Sequence, residues 1–171
     1  MRTVILSFIL IFTRVVLFAQ DAIESASSRP LNSIYINLLG DASIISFNYE
    51  RIFLINKTFF ISSKLGLGYN EQFQLCIWGP CSAPERYLTI PHHISLNIGN
   101  GRHFFEIGIG GTLIKDIKTQ PYIFYPIVGY RIMPLKSNKI NFRLFGQIPF
   151  SGLNIDNILF IPFGLSLGVS F

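Results

Sequence analysis

From Phe163 to Phe171 the sequence FGLSLGVSF alternates large apolar and very small residues without a break. Phe163, Leu165, Leu167, Val169 and Phe171 share one parity, and Gly164, Ser166, Gly168 and Ser170 share the other. Successive side chains of a β-strand point to opposite faces, so the segment has one greasy face and one nearly bare face. As a free sheet edge in water, such a strand would be a template for aggregation. It fits a sheet whose apolar face meets lipid and whose two edges are both paired.

The same period of two recurs upstream. Ile34, Ile36 and Leu38 oppose Tyr35 and Asn37; Ile45, Phe47 and Tyr49 oppose Ser46, Asn48 and Glu50. Phe59, Ile61, Leu65, Leu67 and Tyr69 oppose Ser62, Lys64, Gly66 and Gly68. Phe105, Ile107, Ile109 and Leu113 oppose Glu106, Gly108, Gly110 and Thr112. Later come Val128 and Tyr130 against Gly129 and Arg131, and Ile140, Phe142 and Leu144 against Asn141, Arg143 and Gln147. With a strand over 87–98, ended by a turn at Gly99-Asn100-Gly101, the pattern predicts eight strands. Half the residues are hydrophobic, 13% are charged and the mean hydropathy is +0.45. The charged residues share their face with the small ones, the reverse of a soluble lipocalin-type barrel, whose apolar face lines the inside. The predicted fold is therefore all-β: an eight-stranded antiparallel up-and-down transmembrane β-barrel, greasy outside and polar inside.

The ending at Phe163, Leu165, Leu167, Val169 and Phe171 resembles the C-terminal strand of bacterial outer-membrane barrels, where a final Phe and alternating apolar residues act as the assembly signal. The stretch LLGDASIISFNYER also resembles the first hairpin of a family of small eight-stranded outer-membrane barrels. The resemblance implies a bacterial outer-membrane location. It also implies outer-membrane lipids, lipopolysaccharide and the barrel-assembly machinery as partners. It carries no activity.

The N-terminus agrees with export. Residues 1–20 hold Arg2, an apolar run from Val4 to Leu17 and the small Ala19, and read as a signal peptide cleaved after Ala19 or Gln20. Residues 21–31 read as a flexible periplasmic lead-in, and 32–171 as the barrel. The formal charge of +5 falls to about +3 once Arg2 and Arg14 leave with the signal, and no basic run points to nucleic acid. Gly40-Asp41 reads as a tight turn. The segment 70–86 is the longest irregular connection and is predicted to lie outside the cell, where Cys76 and Cys81 are expected to form a disulfide around Trp78. Trp78 could meet a partner or pack within its own loop. Two thiols alone do not hold a metal, and no cofactor is expected.

Glu50, Lys64, Glu106, Arg131 and Arg143 all fall on the predicted inner face. Charges enclosed in so narrow a barrel should pair, which predicts a structural plug; the alternative is a gated ion or proton path. In the fourth strand His92 shares the outward parity, and Pro91 is expected to mark a bulge. His93 and Ser95 lie two apart on one face, and an H-x-S pair resembles that of lipid A deacylases. The leading expectation is a non-enzymatic barrel acting through its external loops, with an external partner that the sequence does not name. The alternatives are a lipid A-modifying enzyme using His93 and Ser95, and a narrow channel.

Overall fold

A computed structural model describes residues 29–71, 85–115, 121–134, 139–150 and 158–171. The expected signal peptide, most of the expected lead-in, and Cys76, Trp78 and Cys81 with their expected disulfide lie outside these residues. Eight strands run β1 (Asn32–Leu38), β2 (Ile45–Leu54), β3 (Phe59–Glu71), β4 (Arg86–Asn100), β5 (His103–Ile114), β6 (Tyr122–Ile132), β7 (Ile140–Gln147) and β8 (Phe163–Ser170). Each pairs antiparallel with the next, and β8 pairs with β1, so the sheet closes into the predicted eight-stranded barrel. The closing seam joins Ser33 to Ser170 and Leu38 to Leu165. The alternation at the C-terminus thus sits against the alternation of the first strand, and neither edge stays open.

The faces follow the parity of the sequence. Phe47, Leu65, Leu67, Ile94, Ile109, Leu144 and Leu167 are among the exposed apolar side chains, while Asn48, Glu50, Lys64, Glu106, Arg131 and Arg143 are buried. One end of the barrel, here the near end, carries Asn32, the turn at Gly101 and Phe171. The far end carries the β1–β2 turn and the start of β8. Apolar clusters close both ends of the interior. Ile52, Phe60, Phe104 and Met133 pack at the near end, and Ala42, Tyr87, Ile114, Ile123, Tyr125, Ile127, Phe145 and Ile158 at the far end. Polar and charged side chains fill the space between.

Two local expectations in and after β4 are corrected. The pairing register of β4 is unchanged on both sides of Pro91, from Leu65↔His92 to Gly68↔Thr89 and from Pro91↔Thr112 to His92↔Gly111. No residue is inserted, so there is no bulge; the missing amide is accommodated by a lapse in the β3–β4 ladder opposite Gly66 and Leu67. The turn after β4 is shorter than Gly99-Asn100-Gly101. Asn100 pairs with His103, leaving Gly101 and Arg102 as the two central residues, with Gly101 at φ +61°. Tyr87, near the start of β4, points inward and joins the far-end cluster.

Candidate functional site

The interior polar residues form two connected tiers. The nearer tier centres on Glu106, which is fully buried on β5. Arg143 of β7 donates to it from Nε at 2.5 Å and from Nη2 at 2.9 Å, and Ser95 of β4 donates from Oγ at 2.6 Å. Arg131 of β6 makes a fork with Glu50 of β2, at 2.9 and 2.7 Å, and reaches Glu106 at 3.4 Å. Two carboxylates and two guanidiniums from four strands thus neutralise one another across the lumen, which is the arrangement low-dielectric burial demands. Ser62 of β3 joins through Ser95 at 2.9 Å.

The farther tier centres on a residue outside the predicted set. Between Leu38 and Ile45, which still pair, the chain makes a six-residue connection rather than a tight Gly40-Asp41 turn. Leu39, Gly40, Asp41 and Ala42 all take positive φ, at 62°, 71°, 55° and 49°. This run of left-handed residues turns the segment into the mouth of the barrel, and Asp41 is fully buried. Its carboxylate accepts from Asn37 Nδ2 and Gln147 Nε2, each at 2.5 Å, pairs with Lys64 Nζ, and lies 2.9 Å from His93 Nε2. Its amide donates to Gln147 Oε1 at 2.7 Å, and its carbonyl accepts from Thr112 Oγ1 at 2.7 Å. Burial pushes the Asp41 carboxyl up, but the pull of His93 and Lys64 outweighs it and holds the pKa well below the ordinary carboxylate value. Left-handed backbone costs roughly 1–2 kcal/mol per non-glycine residue, so Leu39, Asp41 and Ala42 hold it only because these contacts fix them.

Lys64 therefore pairs with Asp41, while the other four predicted interior charges group around Glu106. Nothing in the sequence pattern singled out Asp41, because a Gly-Asp dipeptide reads as a surface turn. The useful signal was arithmetic. Lys64, Arg131 and Arg143 faced only Glu50 and Glu106 in the predicted interior, so one acid was missing.

His93 and Ser95 share the inner face but belong to different tiers. His93 meets Asp41 and, at 3.3 Å, Tyr125 Oη; Ser95 gives its hydroxyl hydrogen to Glu106. A serine nucleophile needs its proton directed to the base, and here that proton is directed to a carboxylate already shared by two arginines. His92 lies on the outer face as its parity predicts. Its Nδ1 is 3.3 Å from the carbonyl of Ile90, beside the lapse at Pro91, and its Nε2 is 3.0 Å from Tyr122 Oη. The ring thus satisfies a backbone group on an otherwise apolar face. Gly111 lies beneath the Tyr122 hydroxyl, where a Cβ would collide.

At the near end Tyr49 donates to Asn32 Oδ1 at 2.7 Å, and His103 stacks on Tyr130. At the far end Tyr69 donates to Glu71 at 2.9 Å. The outer face therefore carries aromatic–polar pairs at its two rims. Arg29 crosses the near mouth, 4.5 Å from the Phe104 ring and 2.8 Å from the Gly101 carbonyl. No protein-family model, curated protein or solved structure matches this chain.

Proposed function

We propose that the chain is an integral β-barrel of a bacterial outer membrane, packed shut inside and working without catalysis through its far-end connections. One observation carries this reading: the outward residues of all eight strands are predominantly apolar, while the ion pairs face inward. A water-soluble barrel would expose that apolar surface at a cost of about 25 cal/mol per Å², whereas lipid removes the cost. Closure supports it too, because a closed sheet leaves no backbone edge for the bilayer to solvate. The aromatic–polar pairs at both rims match the interfacial girdles of such barrels. Outer-membrane lipids are then the partners of the outer face, with the long connections after β3, β5 and β7 on the cell surface.

The interior argues against a conducting path. Apolar clusters cap both ends, and among the described residues every charge between them has a counter-charge. An ion crossing the lumen would have to displace an arginine from a carboxylate in a low dielectric. The protein reconstituted in planar bilayers should give no discrete conductance steps.

Gel mobility of the detergent-solubilised membrane fraction, unboiled against boiled, tests the central claim. A heat-dependent shift confined to the outer-membrane fraction is the expected result. Recovery from the soluble periplasm with no shift would sink it. On the same reading Ser95→Ala leaves the lipid A acylation pattern of the host unchanged; an altered pattern would make the barrel a lipid A hydrolase instead.

A further inference from the structure

Four residues that each carry a buried polar atom without a partner line one small chamber in the nearer tier. Tyr35 of β1, Arg131 of β6, Arg143 of β7 and Ser166 of β8 line a cavity of about 10 Å³, together with Glu50, Asn141 and the apolar Met133. Each of the four side chains is about 3% exposed or less. Tyr35 Oη, Arg131 Nε, Arg143 Nη1 and Ser166 Oγ have no hydrogen-bond partner among the described residues. A buried polar atom without a partner is costly, and four around one chamber on four different strands are not independent accidents.

We propose that this chamber is a binding site for one water molecule, which links the first strand of the barrel to the last. The volume is about what a single water requires. The chemistry fits as well. A water has two acceptor sites for Arg131 Nε–H and Arg143 Nη1–H, and two hydrogens for the oxygens of Tyr35 and Ser166. One guest thus matches the hydrogen-bonding capacity of all four atoms. A monatomic anion could accept from the same donors, but the described interior is already balanced, with Asp41, Glu50 and Glu106 against Lys64, Arg131 and Arg143. An added anion would leave an uncompensated buried charge. The neutral guest is favoured.

The site spans the seam. Tyr35 pairs with Gly168, two residues from Ser166, across the β1–β8 junction, and no direct hydrogen bond joins the Tyr35 and Ser166 hydroxyls. The guest supplies a polar link between them.

The test uses opposite signs. In a dry chamber, Tyr35→Phe and Ser166→Ala each remove an unsatisfied hydroxyl and should leave the heat-unfolding midpoint unchanged or raise it. With the water bound, each should lower the midpoint of the detergent-solubilised full chain by roughly 2–4 °C. The double variant should lose less than the sum, because both hydroxyls act through one molecule. Circular dichroism follows the transition whether or not the protein is a membrane barrel. Unchanged or raised midpoints overturn the proposal, and so do strictly additive losses. A midpoint that rises with bromide concentration, together with a bromide anomalous peak in the chamber, replaces water by an anion and also overturns it.

Discussion

Glu106→Ala should destabilise the barrel by about 3–5 kcal/mol, the cost of leaving a buried charge without its partner. Glu106 is the only carboxylate that touches both interior arginines, and Arg143 has no other ion-pair partner among the described residues. Its removal would leave Arg143 charged in a packed lumen, with Arg131 still held by Glu50 and the Ser95 hydroxyl left to Ser62. The loss would appear as a lower temperature for the boiled-form gel transition and a lower urea midpoint. A companion variant separates charge from packing. Glu106→Ala with Arg143→Met removes one charge of each sign and should be less damaging than Glu106→Ala alone, because the excess positive charge is gone. If the single variant unfolds at the wild-type midpoint, Glu106 is not the counter-ion its geometry makes it. If the double is as unstable as the single, packing rather than charge is what Glu106 supplies.

The parts of this structure that could be read from the sequence are those set by a strict physical period. Residues 163–171 and 105–113 alternate because each strand has one face toward each environment, and one slipped residue would invert every side chain. The strand count, the parity of Glu50, Lys64, Glu106, Arg131 and Arg143, and the outward place of His92 follow from that rule alone. Ring closure needed one more step: neither end strand could stay exposed. Contacts made by irregular backbone were less accessible. Asp41 enters the lumen through a left-handed turn that includes Leu39 and Ala42, residues with no propensity for it. No local pattern announces a conformation imposed by distant partners such as Lys64, Thr112 and Gln147. Pro91 misled for a related reason. A proline within a strand suggests a bulge, yet a lapse of the ladder opposite Gly66 and Leu67, with His92 over the Ile90 carbonyl, keeps the register intact. His93 and Ser95 share a face as their spacing requires, but a spacing of two does not say which neighbour each will choose. Lys64 and Asp41 on one side and Glu106 on the other draw them apart.

Asp41→Asn and Asp41→Ala should both weaken the far tier, and the difference between them measures what holds the left-handed turn. Asparagine tolerates positive φ at least as well as aspartate and keeps the side-chain volume, so Asp41→Asn removes the charge and turns one of the two acceptor oxygens into an amide donor, with the backbone preference unchanged. Lys64 would then lie buried without a counter-ion, and the loss should again be about 3–5 kcal/mol. Alanine removes the charge, the acceptors for Asn37 and Gln147, and the Asx tolerance at φ 55°, adding roughly 1 kcal/mol of backbone cost. The order of stability should be wild type, then Asp41→Asn, then Asp41→Ala. Equal losses would mean that the turn is fixed by its backbone bonds, Thr112 to Asp41 and Asn70 to Ala42, without help from the carboxylate. Acid gives an independent reading. Because the folded-state pKa of Asp41 is depressed, its contribution is fully present above the unfolded value near 4 and is lost as pH falls toward the folded one. Wild-type stability should therefore decline below about pH 4, and Asp41→Asn should decline less over the same range, since its charge is already gone. A variant whose acid profile runs parallel to wild type would place the acid sensitivity elsewhere in the barrel.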